Sequence, residues 1–335
     1  MTILVTGGAG YIGSHMVHAL VDAGESVVVL DNLSTGFQWA VPRMVPLVVG
    51  ETGDQTLVAA LIAENRVDAV IHFAASIVVP DSVADPLGYY RNNTVNSRAL
   101  IEIAIKAGVR HFIFSSTAAV YGDPRRIPIN EDDVTVPMSP YGSSKLMTEI
   151  MLRDAGAAHG LSYLILRYFN VAGADPLMRT GQSTKGATHL IKVAVETALG
   201  LRPMIEVFGT DYETPDGTCI RDYIHVSDLV RAHSDALRHV RGGGASLTLN
   251  CGYGRGFSVL DVIDTVKRVS GVDFKVTSSG RRPGDPAAIV ADSARIRALL
   301  GWTPHFDDLE TIVDHALKWE HRRASVKAAA LPTSP

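Results

Sequence analysis

Six short apolar runs of β-forming residues constrain this chain more than anything else in it. They are residues 2–6 (TILVT), 26–31 (SVVVLD), 45–49 (VPLVV), 68–74 (DAVIHFA), 110–115 (RHFIFS) and 161–167 (LSYLILR). Runs apolar at nearly every position suit strands covered on both faces, which is what a parallel sheet requires. Helical patterns over 13–23, 55–64, 93–107 and 143–158 lie between them. Strands alternating with helices, joined by right-handed crossovers, predict a doubly wound α/β sheet. After about residue 170 the rhythm loosens: Gly, Pro and Thr crowd 172–187 and 209–218, and helices read over 188–200, 227–240, 258–269 and 292–300. Residues 246–250 (SLTLN) read as a further strand. The expectation is a Rossmann-type sheet domain over 1–170, rejoined by segments near 218–250, with a smaller α+β domain mainly over 171–335. Residues 324–335 are rich in Ala and Pro and are expected to fray.

Composition narrows the function classes. A length of 335 residues has room for two domains. A net charge of −4 provides no basic field for nucleic acid. No apolar run reaches the roughly 18 residues of a membrane helix, and the start lacks the basic segment of a secretory signal. The two cysteines, Cys219 and Cys251, leave one bridge open, which a core of this size does not need. A reduced, cytoplasmic protein is expected, without nucleic-acid or membrane partners. No cluster is singled out as a metal site.

The first strand runs into Gly7-Gly8-Ala9-Gly10-Tyr11-Ile12-Gly13, which opens a helix. Glycines at this spacing permit a tight turn and close backbone approach to a pyrophosphate, facing the free N–H groups of the helix start. Asp31 ends the second strand, where a carboxylate accepts hydrogen bonds from a ribose 2′-hydroxyl and repels a 2′-phosphate. NAD is therefore the expected cofactor. The alternative is a structural turn followed by an unrelated surface Asp.

Tyr141 and Lys145 stand four apart, on one face of a helix. A phenol titrates near pH 10, too high for a base at neutrality, unless cations stabilise the phenolate. A lysine ammonium and a nicotinamide cation would do so and let Tyr141 exchange a proton with an alcohol. Upstream, Thr117 leaves the fifth strand, at the C-terminal strand edge where open α/β sheets build their sites. The plainer readings are a half-buried tyrosine beside a solvated lysine and a capping hydroxyl.

TGGAGYIGSH, Asp31-Asn32-Leu33, HFAAS, FSSTAAVYG, SPYGSSKLMTE, LRYFNVAGA, RDYIHVSDL and RRPGD together resemble the UDP-glucose (UDP-galactose) 4-epimerase family. These are extended short-chain dehydrogenase/reductases, and the resemblance covers roughly residues 2–320. It implies Tyr141 as base, Lys145 as its electrostatic partner and nicotinamide-ribose anchor, and Thr117 as the helping hydroxyl. Gly7, Gly10, Tyr11, Ile12 and Gly13 match the pyrophosphate loop. Asp31 and Asn32 match adenosine-ribose contacts, Glu51 the adenine edge, and Thr52 a further cofactor-binding position. Phe73, Ala74, Ala75, Asn93, Ser115 and Tyr168 match positions lining the cofactor. Asn170, His189, Leu190, Phe208, Arg221, Tyr223, Val259, Arg282, Asp285 and Ile289 match positions around a UDP-sugar. The implied reaction is a transient oxidation at the sugar C4 without net redox change. A homodimer paired through 93–107 and 143–158 is implied as well.

The chemistry of the substrate positions is consistent with that reading. Arg221 and Arg282 offer planar, permanently charged forks to a diphosphate, and Phe208 an apolar face to a uracil ring. Four positions depart from the family pattern: Ile77 for a usual Lys, Glu51 for Asp, His189 for Asn, and Ile289 for a bulky Tyr. The smaller Ile289 implies room for 2-acetamido sugars. The rivals are a sugar-nucleotide dehydratase, a dehydrogenase with exchangeable cofactor, a nucleotide-binding scaffold, and an epimerase of UDP-uronates or UDP-pentoses. A dehydratase needs an acid beside Thr117, where Ala118 and Ala119 stand.

Overall fold

The computed structural model describes residues 1–282 and 284–330, with side chains through residue 325. In chain order the strands are β1 (Thr2–Thr6), β2 (Ser26–Asp31), β3 (Leu47–Val49), β4 (Val67–His72), β5 (His111–Thr117), β6 (Ser162–Tyr168), β7 (Asn170–Ala172), β8 (Ile205–Phe208), β9 (Ile220–His225), β10 (Leu247–Cys251), β11 (Gly256–Ser258), β12 (Val276–Ser279) and β13 (Ala288–Ile289). The helices are α1 (Tyr11–Asp22), α2 (Gln55–Asn65), α3 (Val79–Ala84), α4 (Pro86–Tyr89), α5 (Asn96–Lys106), α6 (Pro140–His159), α7 (Leu190–Ala198), α8 (Val226–Arg241), α9 (Val259–Ser270), α10 (Ala294–Leu300) and α11 (Leu309–Ala330).

Seven strands form one parallel sheet in the order β10-β6-β5-β4-β1-β2-β3. Alternate residues of each strand enter opposite faces. Ile3, Val5, Val29, Ile71, Ile113, Leu164 and Leu249 pack with Met16, Val17 and Leu20 of α1 and Leu229, Ala236 and Leu237 of α8. Leu4, Val28, Val70, Phe112, Phe114 and Ile165 pack on the other side with Val58 and Leu61 of α2, Leu100 and Ala104 of α5 and Leu152 of α6. Two-sided burial is the reason these strands read as unbroken apolar runs.

Beyond β6 the sheets are small. β9 pairs with β7, β11 and β13, and β8 pairs with β12. Helices α7, α9 and α11 close a separate apolar cluster with Ala172, Tyr223, Ile205 and Val207. The smaller sheets were not legible in the sequence rhythm, because every strand in them except the six-residue β9 spans only two to four residues, too few to carry a pattern.

Element boundaries moved where the site lies. β5 extends to Thr117, and α6 starts at Pro140, with Ser139 accepting from the Gly142 amide as its cap. Residues 90–95 form a π-helical turn before α5, and this turn takes in the first three residues of the helix expected over 93–107. The frayed end expected over 324–335 is a correction in part: residues 324–330 continue α11. Residues 331–335, and Pro283 of the RRPGD stretch, lie outside the described residues.

Candidate active site

The candidate cofactor residues collect along one edge of the large sheet because each sits at or just past the C-terminal end of a strand. Gly7–Gly13 follow β1, Asp31 and Asn32 close β2, Glu51 and Thr52 follow β3, and Phe73–Ala75 follow β4. Ser115 and Thr117 end β5, and Tyr168 ends β6. A parallel sheet turns residues scattered over the chain into one line.

The glycine loop is shaped for close approach. Gly7 adopts φ +71°, and a side chain there would press its Cβ to 2.6 Å from the Ala74 amide nitrogen. A Cβ on Gly13 would stand 2.0 Å from the Gly7 carbonyl oxygen. Gly10 caps α1 without a side-chain hydrogen bond, and the first turn of α1 carries no acidic residue. An unclosed helix start of this kind suits a pyrophosphate. The buried Asp31 carboxylate accepts from the Ala9 amide at 2.9 Å and the Leu33 amide at 2.8 Å, so its orientation is fixed beside the loop. Asn32 donates to Glu51 Oε1 at 3.1 Å, which brings the two ribose- and adenine-side positions together. These residues fit a dinucleotide with free ribose hydroxyls. Thr52 is buried, whereas Ile77 is exposed.

Asn93 lies in the π-helical turn and is buried. It accepts from the Ser76 amide at 2.8 Å, and donates to the Ser76 carbonyl at 2.9 Å and to Ser144 Oγ at 3.0 Å. The wider turn thus clamps the loop after β4 to helix α6.

Thr117, Tyr141 and Lys145 are all buried, with 9%, 8% and 3% of their surface exposed. Burial pushes the Tyr141 phenol up to about 12, with the neighbouring Thr117 hydroxyl offsetting part of that. Burial also pulls the Lys145 ammonium down to about 7, against the attraction of Glu149. The expectation that Lys145 lowers Tyr141 therefore meets a stronger opposing effect in the protein alone, since desolvation disfavours both charged forms. Lys145 Nζ donates to the Ser115 carbonyl at 3.0 Å and sits 4.9 Å from the Phe114 ring centroid. Beneath it, Glu149 and Arg167 form a fully buried bidentate pair, also bonded by the Ser116 hydroxyl.

Two functional-site neighbours escaped the sequence reading. His233 of α8 is buried, and Ser115 Oγ lies 2.9 Å from its Nε2. His72 bridges the Thr6 and Ser97 hydroxyls at 2.6 and 2.8 Å. Burial lowers the two rings to about 4 and about 3, so both are neutral. Their hydroxyl partners Thr6, Ser97 and Ser115 lie far off in sequence, and no local pattern announces them.

The substrate candidates fall into two groups. Asn170, His189, Leu190 and Tyr223 line a narrow cavity of about 30 Å³ together with Tyr11 of the glycine loop. Burial lowers the His189 imidazole, and its Nδ1 is buried without a hydrogen-bond partner. Arg282 and Asp285 line a wider cleft of about 600 Å³ with Tyr212 and Arg281. The Arg282 guanidinium lies 3.8 Å from the Phe208 ring centroid, and Arg221 pairs with Asp285 at 2.9 Å. Val259 starts α9 and is half-buried. Ile289 pairs in register with Arg221 and is buried among Ala118, Val120, Tyr121 and Ile129. Cys219 and Cys251 are both buried and unpaired. No helix among the described residues is long and apolar enough to cross a membrane.

Comparison with known proteins adds to this geometry. Residues 3–252 match the NAD dependent epimerase/dehydratase family. A UDP-glucose 4-epimerase of Azospirillum brasilense is 60% identical over 331 residues, covering 98% of this chain and 95% of the relative. The crystal structure of UDP-glucose 4-epimerase from Brucella ovis in complex with NAD superposes with a TM-score of 0.92 at 45% identity, covering 95% of this chain and 97% of that one. The enzyme from Bifidobacterium longum in complex with NAD⁺ and UDP gives 0.91 at 36% identity, covering 97% and 99%. The glycine loop, the Tyr141–Lys145 helix and near full-length similarity agree: the chain belongs to the NAD dependent epimerase/dehydratase family and, within it, to the UDP-glucose 4-epimerases.

Proposed function

We propose that this protein interconverts UDP-glucose and UDP-galactose by inversion at C4. The observation that carries the reading is the convergence of Thr117, Tyr141 and Lys145 at the sheet edge that also holds the open glycine loop. Gly7–Gly13, Asp31, Asn32, Glu51, Thr52, Phe73–Ala75, Asn93, Ser115, Tyr168 and Lys145 would hold NAD. That cofactor, when bound, supplies the hydride acceptor and, in the return step, the donor. Tyr141 takes the proton of the 4-hydroxyl and later returns it to the same oxygen, once the 4-keto sugar has turned its opposite face toward the hydride source. Thr117 keeps the reacting oxygen in line with the phenol. The raised Tyr141 phenol holds its proton until positive charge stands beside it, so proton removal is coupled to a filled site. Arg221, Arg282 and Phe208 hold the uridine diphosphate while the 4-keto sugar turns over, which concentrates binding energy at the nucleotide end.

The division of labour follows the two halves of the fold. Residues 1–170, rejoined near 218–250, carry the cofactor, and 171–335 mainly carry the sugar nucleotide. The working form is a cytoplasmic homodimer. Supporting the pairing are exposed apolar side chains at Leu87, Val95, Met147 and Ile150, on the 86–95 segment and α6. Ile289 in place of a larger side chain extends the range to UDP-GlcNAc.

The test is incubation of purified protein with UDP-galactose and no added cofactor, followed by chromatography of the sugar nucleotides. UDP-glucose forms and no reduced nicotinamide accumulates in solution. Absence of conversion even with NAD supplied overturns the reading. UDP-GlcNAc run alongside decides the wider range, and its persistence unchanged removes that extension.

A further inference from the structure

We propose that His233 is a positioning residue for the Tyr141–Lys145 pair, acting through Ser115. His233 has no exposed surface, and both its ring nitrogens are used. Nδ1 lies 2.9 Å from the Leu229 carbonyl, which can only accept, so Nδ1 carries the ring proton. Nε2 of the neutral ring is then an acceptor, and the Ser115 hydroxyl donates to it at 2.9 Å. This fixes the Ser115 hydroxyl rotor.

The same Ser115 serves Lys145 with its carbonyl, at 3.0 Å. His233 thus reaches 118 residues across the chain to pin a residue whose carbonyl accepts from the lysine. Its ring also packs 4.9 Å from Phe73 and 6.3 Å from Tyr168, both candidate cofactor contacts. Packing alone would be met by an apolar ring at lower desolvation cost. The paired nitrogens point instead to a polar function, orienting the strand end under the reacting groups.

Two substitutions separate the nitrogens. Asn reproduces the Nδ1 donor to Leu229 and loses Ser115. Gln places its amide oxygen near the Nε2 position and keeps an acceptor for Ser115. The proposal rests on the epimerase reading, which wild-type conversion of UDP-galactose decides first. H233N then lowers kcat roughly tenfold to a hundredfold, the effect of one lost buried hydrogen bond beneath a reacting group, with KM shifted less than about threefold. H233Q recovers most of that loss. In an S115A background, H233N adds less than about a twofold further loss, because the partner is already gone. Acetylation of Lys145 by acetic anhydride, read by peptide mass spectrometry, reports the same loosening without substrate. It is faster in H233N than in H233Q, and this arm stands even if UDP-galactose is not converted. The proposal is overturned if H233Q is no better than H233N in kcat and Lys145 labelling, or if H233N costs as much in the S115A background as alone.

Discussion

The candidate cofactor edge and the proposed sugar-nucleotide cleft are built by different rules. Along the edge, polar side chains are buried and engaged: Asp31 by two amides, Asn93 by three partners, Lys145 by a carbonyl and Ser115 by an imidazole. Across the cleft, Arg282 is exposed and stacks on Phe208 and Arg221 is held by a half-exposed Asp285, while in the separate narrow cavity His189 keeps an unpartnered nitrogen. A group that must keep one geometry through two opposite hydride transfers needs satisfied, dry partners. A site that, on the proposed function, admits and releases a charged nucleotide every cycle cannot be locked the same way, and Arg282 stays near water.

Replacing Tyr141 by Phe tests the rigid side most severely. Removing the phenol hydroxyl costs about 10²- to 10⁴-fold in kcat, the usual range for a lost acid–base group, with the melting temperature little changed. A Y141F enzyme with near wild-type turnover would remove the edge from the chemistry. Acid should come next. Burial holds His15, His72 and His233 at about 4, about 3 and about 4, below the ordinary imidazole value. Between those values and about 6.5 the unfolded chain binds protons that the folded rings refuse, so stability falls as pH is lowered through that window. Each ring contributes a loss of about 2 kcal/mol at pH 5. The buried Asp222 of β9, pushed up by burial to about 6, works in the opposite direction and offsets part of the loss. Urea unfolding at pH 7 and pH 5 measures the balance, and equal stability at both would contradict it. The smallest effect belongs to the open side. R282A raises KM for the UDP-sugar about tenfold and leaves kcat within about twofold, because a charge-assisted contact to diphosphate is made equally before and during the chemistry. A fall in kcat at constant KM would blur the distinction between the two regions.

The cofactor edge was the more legible of the two. Gly7–Gly13 are contiguous, Tyr141 and Lys145 are one helical turn apart, and Asp31 and Thr117 close strands whose apolar pattern is plain. The cleft was reached mainly through resemblance. Phe208, Arg221 and Arg282 come from separate short elements, and no spacing predicts that Arg282 covers the Phe208 ring. The π-helical turn at Asn93 was hidden for another reason, since its sequence pattern differs little from an α-helix.

The sequence by itself determined the parallel sheet, the glycine loop and the helix that aligns Tyr141 with Lys145. Those features depend on residues within a few positions of one another, where periodicity and backbone preference act directly. Tertiary structure alone decided that β10 returns beside β6, that α8 carries His233 to Ser115, and that burial drives the Tyr141 and Lys145 protonation equilibria toward their neutral forms. Desolvation and long-range hydrogen bonding belong to the packed assembly of distant segments, and no local run of residues specifies them.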